Sequence, residues 1–338
     1  MTIPSSSHTH SSLHLWLNNL RLAGVVACLP DHQVQNIQLT NQFSIDDIRQ
    51  ISKSTGVESR YLAGKQVTTG DLCLQAAKKL LHYLEWPPES VDGVILMTQT
   101  PNQLLPATAC RIQHQLGLTK ATFAFDVNLG CSAYPYGLWL AGSLFSSGVK
   151  RLLLLAGDTI SHIVDPTDRA TALLFGDAGT ATALEKGESD TWHFLLGTDG
   201  SGADCLQTPQ GGHLSMQGPS VFEFTLREVP PLIERLNSIL GNQHDCYLFH
   251  QANRFMIEHL RRKCSIQPEM FPINIGKYGN TSSASIPLLM TSTRANSLVA
   301  PFARIALVGY GVGLSWAAAS LLLDSDSVLE TILYSELL

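Results

Sequence analysis

The chain has 338 residues, 44% of them hydrophobic and 15% charged, with a formal net charge of -6. Its length exceeds the ~250–300 residues at which one hydrophobic core stops growing, which implies two domains or two fused halves. The composition suits a well-buried enzyme and excludes a disordered or fibrous chain, and the lack of a long basic tract argues against nucleic acid or a membrane surface as partner.

The first segment, 1–19, is rich in Ser and His and has no basic region leading into an apolar core, so it reads as a flexible tail rather than a signal peptide. Its histidines read as solvated rather than metal-binding. No apolar run approaches the ~18 residues that span a bilayer. The seven cysteines are scattered and include no C-x-x-C pair, which argues against a disulfide framework or a zinc site and makes the cytoplasm the default location.

Strand-like and helix-like stretches then alternate. "SVDGVILMTQT" leads into a strand, "PATACRIQHQLGL" predicts a helix, "ATFAFDV" a strand and "SAYPYGLWLAGSLFSSG" a helix ending at Gly148. "VKRLLLLAGD" is a further strand, and "ATALLFGDAGTATALE" a glycine turn into another. Beyond a variable stretch near 186–215, "VFEFTLREVPPLIERLNSIL" predicts a helix with a Pro-Pro kink. "CYLFHQ" is a strand, and "ANRFMIEHLRRKC" and "SSASIPLLMTSTRAN" are helices. "RIALVGYGVGLSWAAASLLL" is a strand, a turn and a strand. This alternation implies α/β layers around buried sheets, with similar halves over 20–185 and 186–338.

Three residues in this frame carry candidate chemistry. Cys131 sits between a strand and the start of a helix, where free N–H groups and a partial positive charge favour thiolate over thiol. The same N–H groups can hold an oxyanion. His250 ends a strand, the place where α/β folds gather catalytic side chains. Asn280 lies in a glycine-flanked turn before a helix. Each has a plain structural alternative: packing for the cysteine, a satisfied ring for the histidine, a turn or cap for the asparagine. Their combination in the order Cys, His, Asn is more specific.

The motifs "TPNQLLPATACRIQHQLG", "FDVNLGCSAYPYGL", "DRATALLFGDAGTA", "LGTDGSG", "HQANRFMIEHL", "GKYGNTSSASIPL" and "GYGVGLSWAA" together give the chain, from about Leu20 to Leu323, a resemblance to the β-ketoacyl-acyl-carrier-protein synthase III family of thiolase-fold condensing enzymes. That resemblance implies a thiolase-like five-layer αβαβα fold of two similar halves, assembled as a homodimer or with a related subunit. It implies a decarboxylative Claisen condensation in fatty-acid or polyketide-type biosynthesis. Cys131 would capture the acyl group of an acyl-carrier protein or acyl-coenzyme A, and His250 and Asn280 would stabilise the enolate formed from a malonyl-carrier protein. The backbone N–H groups of Cys131 and Val312 would form an oxyanion hole, and no metal or other cofactor would be needed.

Further expectations follow from the same resemblance. Leu105 matches a position that reaches across the dimer interface to line the partner's acyl pocket, and Tyr134 and Tyr136 would reshape that pocket. Arg254, Arg261, Arg262 and Lys263 would steer an acidic carrier protein to the tunnel mouth. "FGDAGTA" would pack behind the site without chemistry. The sequence also departs from the family. Val312 stands where glycine is frequent, a strained choice if φ is positive there. Gln50 and Ser54 stand where housekeeping members carry a tryptophan and an arginine that grip coenzyme A, which favours a carrier-bound primer. Phe255 replaces a usual arginine, with Arg254 beside it. Two other functions remain open at this level: acyl transfer to an alcohol or amine through Cys131, with His250 as base, and a silent partner subunit, which would lack the nucleophile.

Overall fold

The computed structural model describes residues 11–187, 191–295 and 303–334. The first half comprises β1 (Leu13–Leu17), β2 (Leu20–Leu29), β3 (Gln33–Gln35), α1 (Ile45–Thr55), β4 (Ser59–Tyr61), α2 (Thr69–Tyr83), β5 (Gly93–Met97), α3 (Thr108–Gln115), β6 (Phe123–Val127), α4 (Ala133–Ser143), β7 (Arg151–Asp158), α5 (Arg169–Ala172) and β8 (Ala178–Lys186). The second comprises β9 (Trp192–Thr198), β10 (Leu206–Gln207), β11 (Ser215–Met216), α6 (Gly218–Leu240), β12 (Cys246–Phe249), α7 (Arg254–Lys263), α8 (Ile275–Tyr278), α9 (Ser285–Ala295), β13 (Ala303–Gly311), β14 (Ser315–Leu323) and β15 (Val328–Leu333).

The long apolar strands explain the layering. A strand such as β7, with Leu152 to Asp158 all buried, needs cover on both faces. One six-stranded sheet has the order β15-β2-β8-β7-β5-β6, and one five-stranded sheet the order β1-β9-β14-β13-β12. Between them lie α4 and α9: Tyr134, Leu138, Ile286, Leu289 and Met290 share one core with the inner faces of both sheets. Helices α2 and α3 cover the outer face of the first sheet, and α6 and α7 that of the second. The result is the expected five-layer αβαβα thiolase-type arrangement.

Three local features differ from the sequence expectations. Residues 13–17, assigned to a flexible tail, form β1, paired antiparallel with β9 from Leu13↔Leu196 to Leu17↔Trp192. The cause is the period-two pattern of "LHLWL", which turns Leu15 and Leu17 to the central core. The His-rich stretch 1–10 lies outside the described residues. The variable stretch near 186–215 contains the mostly buried strand β9. Helix α6 runs unbroken through Pro230 and Pro231. Pro230 has no N–H for the carbonyl of Leu226, and the Lys263 ammonium donates to that oxygen instead, at 3.2 Å. The halves also exchange strands: β1 joins the second sheet, and β15 pairs parallel with β2 in the first.

Candidate active site

Cys131 lies in the short turn between β6 and α4, closed by the Ala133 N–H donating to the Gly130 carbonyl at 2.8 Å. The end of β13 runs directly beneath this turn. A Cβ on Gly309 would stand 2.7 Å from Ser132 Cα, and one on Gly311 would stand 2.8 Å from Cys131 Cβ and 3.0 Å from its sulfur. Both positions must therefore be glycine for Cys131 to seat as it does. The turn after β13 takes its positive φ at Gly311 (152°) and Gly313 (138°), not at Val312, so the valine carries no such strain. Its N–H faces the Cys131 sulfur. Ser315 Oγ, which donates to the Val312 carbonyl at 2.7 Å, also bonds Ser132 Oγ at 2.7 Å and ties the two turns together.

His250 continues the line of β12, its N–H donating to the Val308 carbonyl at 2.8 Å. Tyr310 holds it from a second side: the ring stands edge-on to the imidazole at 5.6 Å, and the hydroxyl donates to the His250 carbonyl at 3.1 Å. The ring is buried, and among the described residues nothing bonds its Nδ1. Neither tautomer is pinned from behind.

Asn280 is clamped by its backbone to the start of "FGDAGTA" and the residue before it: its N–H donates to the Leu174 carbonyl, and its carbonyl accepts from the Gly176 N–H, both at 3.0 Å. The side-chain Oδ1 accepts from the Ser282 N–H at 3.0 Å, while Nδ2 makes only a long contact of 3.4 Å to the Ala252 carbonyl. That orientation leaves an amide N–H for a ligand. "FGDAGTA" thus does pack behind the site, and it also fixes the height of Asn280.

Two supporting groups escaped sequence reading. Asp158, fully buried at the end of β7, accepts from Thr98 Oγ1, the Gln99 N–H and Thr100 Oγ1 on one oxygen and from the Ser283 N–H and hydroxyl on the other. It joins the β5 end to the Asn280 loop. Arg60, also buried, donates to Asn36 Oδ1 and to the Phe175 carbonyl, while Asn36 Nδ2 holds the carbonyls of Val57 and Leu173. The only sequence signal for Asp158 is a charge ending an apolar run.

The electrostatics correct one expectation. Burial pushes the Cys131 thiol up to about 12, and the charge of Asp158 adds to this. The N–H groups of Val312 and Cys131 and the Ser282 hydroxyl favour the thiolate but do not overcome desolvation. Burial holds His250 down at about 3. The resting pair is a neutral thiol beside a neutral imidazole.

Cys131, His250, Asn280 and Val312 all line one cavity of about 550 Å³. Its apolar wall includes Ile160, Ile163, Leu174, Phe175, Met216 and Val221, and its mouth is formed by the Gln207–Gly212 stretch and by Asn253. The predicted pocket tyrosines are elsewhere. Tyr134, three residues past Cys131, points into the central core and bonds Thr182 Oγ1 at 3.0 Å, and Tyr136 donates to the Gly197 carbonyl at 2.9 Å. Leu105 projects from the surface, 86% exposed, outside this chain's own cavity.

The predicted basic patch divides. Arg254 is exposed next to Asn253 at the cavity mouth. Arg261, Arg262 and Lys263 occupy the opposite end of α7. Arg261 is paired with Glu258 at 3.0 Å, Arg262 donates to the Glu258 carbonyl, and Lys263 serves the carbonyl freed by Pro230. Gln50 and Ser54 are both exposed on α1, and Arg169 is ion-paired with Asp47 of that helix. Among the described residues no three His, Cys, Asp or Glu side chains converge on a metal-sized site, and no helix is long and apolar enough to cross a membrane.

Comparison with known proteins adds to this geometry. The description of 3-oxoacyl-[acyl-carrier-protein] synthase III matches residues 125–200, and that of its C-terminal region matches residues 237–323. The β-ketoacyl-[acyl-carrier-protein] synthase III of Enterococcus faecalis is 36% identical over 90% of this chain and 99% of its own. That of Lactococcus lactis subsp. lactis is 33% identical, covering 88% and 98%. The crystal structure of a 3-oxoacyl-(acyl-carrier protein) synthase from Burkholderia xenovorans LB400 superposes with a TM-score of 0.93 at 44% identity, covering 96% and 99%. The priming β-ketosynthase of the R1128 polyketide pathway superposes at 0.83 with 25% identity, covering 91% and 97%.

Proposed function

The chain belongs to the 3-oxoacyl-[acyl-carrier-protein] synthase III family and catalyses decarboxylative condensation in fatty-acid or polyketide biosynthesis; from that premise we propose that Cys131, His250 and Asn280 carry the reaction. The observation behind this assignment is their convergence, from three distant segments, on one cavity with the Val312 N–H turned to the sulfur.

The neutral resting pair sets the first step. Nε2 of His250 accepts the thiol proton as the Cys131 sulfur attacks the acyl thioester carbonyl, so no free thiolate need accumulate. The N–H groups of Cys131 and Val312 stabilise the tetrahedral oxyanion. The leaving thiolate then takes the proton, leaving acyl-Cys131. In the second step a malonyl thioester loses CO2, and its bonding electrons become an enolate. The enolate oxygen accepts from His250 Nε2–H and Asn280 Nδ2–H. The unpinned tautomer lets one imidazole serve both steps. The enolate carbon attacks the acyl carbonyl, the resulting alkoxide collapses and expels the Cys131 thiolate as the carbon–sulfur bond breaks, and that thiolate takes a proton from solvent.

A carrier protein delivers the malonyl group and, in this reading, the primer as well. The exposed α1 surface offers Gln50 and Ser54, neither aromatic nor cationic, to a nucleotide, and Arg169 is already engaged by Asp47. Of the four α7 cations, Arg254 adjoins the cavity-lining Asn253 and is the docking candidate. Two copies of the chain would join along β6, an edge strand of the first sheet, with Leu104 and Leu105, 90% and 86% exposed, covered by the partner.

The test incubates purified protein with malonyl-carrier protein and matched acyl-carrier-protein and acyl-coenzyme A donors. Intact mass reads acyl-Cys131, and released CO2 reads condensation. Cys131→Ala abolishes loading. A loaded enzyme that forms an ester or amide without CO2 release overturns the condensation assignment.

A further inference from the structure

Beside the nucleophile, the cavity wall carries two carboxamides with no part in the steps above. Gln99 follows β5 and Asn128 follows β6, so two paired parallel strands deliver them side by side. The Gln99 N–H is anchored on Asp158 Oδ1 at 2.8 Å, and its Nε2 donates to Asn128 Oδ1 at 3.3 Å. Gly130 records how close the pair lies to the chemistry. A Cβ there would stand 2.2 Å from Gln99 Oε1, so the carboxamide oxygen rests on the backbone of the residue preceding Cys131.

The bonding inventory is incomplete in a definite way. Once Gln99 Nε2 has met Asn128 Oδ1, the Gln99 Oε1 acceptor and the two Asn128 Nδ2 donors have no protein partner among the described residues. Among the described residues no Lys, Arg, Asp or Glu lines the cavity. A carboxylate or ammonium on the acyl group would find no counter-charge there, whereas a neutral oxygen would find both a donor and an acceptor. A saturated chain would cover these amide groups without bonding them.

Resting on the acyl-Cys131 reading above, we propose that Gln99 and Asn128 select primers bearing a hydroxyl or oxo oxygen within the first few carbons of the acyl chain. A closed site built to bond a substrate hydroxyl discriminates by ~10⁴-fold or more. Asn128 is exposed and Gln99 half-buried, so water competes for both and the preference here is nearer tenfold.

The experiment offers the full-length protein equal amounts of octanoyl and β-hydroxyoctanoyl N-acetylcysteamine thioesters, which carry neither nucleotide nor carrier protein. Intact-protein mass separates the two acyl-enzymes by one oxygen. The wild type should load the hydroxylated chain at least about tenfold faster. Gln99→Met should bring the ratio near one, and Asn128→Leu provides a second variant if the first fails to fold. A wild type that loads the saturated chain equally or faster overturns the proposal. So does an unchanged ratio in the folded variants. Loading of neither thioester, nor of any carrier-bound donor, refutes the acyl-enzyme reading itself.

Discussion

Replacing Gly311 with alanine tests the seat of the nucleophile directly. The residue has φ 152°, a conformation that costs an L side chain on the order of 1–3 kcal/mol. Its new methyl would also stand 2.8 Å from Cys131 Cβ and 3.0 Å from the sulfur, inside the ~3.5–4.0 Å of an ordinary carbon contact. To relieve the clash, Cys131 must move by up to ~1 Å, away from the Val312 N–H that would hold the oxyanion. A misplacement of that size costs ~10²-fold in rate, and loss of one oxyanion donor costs ~10²–10³-fold. We expect Gly311→Ala to load acyl groups at least ~10²-fold more slowly while remaining folded at low temperature. Time-resolved intact mass of acyl-Cys131 reads the rate, and circular dichroism at the same temperature confirms folding. A variant that loads at the wild-type rate would show that the β13 turn does not set the sulfur's position, and the oxyanion-hole assignment of Val312 would fall with it.

Two further outcomes follow from the site. Asn280→Ala should leave acyl loading little changed and lower decarboxylative condensation by ~10²–10³-fold, because its amide serves only the enolate; equal losses in both half-reactions would refute that division. Stability should fall in mild acid. His250 and His244, held by burial at about 3 and about 4, stay neutral in the folded chain while the unfolded chain protonates them below the ordinary 6.5. The unfolded state then binds more protons between about pH 4 and 6.5, so unfolding free energy rises with pH in that window, by ~1.4 kcal/mol per unit for each histidine once its unfolded form is fully charged. The loss saturates below the folded values. Urea midpoints of the wild type and His244→Gln across this range measure it, and identical slopes would rule out a contribution from His244.

The site was legible where chemistry depends on residue type and local setting. Cys131 before a helix, His250 after a strand and Asn280 in a glycine turn stood out as candidates from their neighbours, each with a plain structural alternative, and the family resemblance joined them. The pocket was not legible. Tyr134 and Tyr136 follow the nucleophile in sequence, but helical rotation turns the first into the central core and the second to the Gly197 carbonyl. The wall comes instead from loops after β7 and β9 and from the start of α6. The basic run on α7 looked like one patch, yet its C-terminal members are engaged by Glu258 and by the carbonyl that Pro230 leaves free.

The sequence by itself determined the layered α/β class and offered the candidate reacting groups, since strand and helix periodicity and side-chain chemistry are local properties. It could not determine the protonation of those groups or the surface they present to substrate. Cys131 rests as a thiol because long-range packing removes water from it and sets Asp158 nearby, which outweighs the helix terminus that sequence reveals. Burial and cavity shape are sums over residues far apart in the chain, and only the folded arrangement brings those residues together.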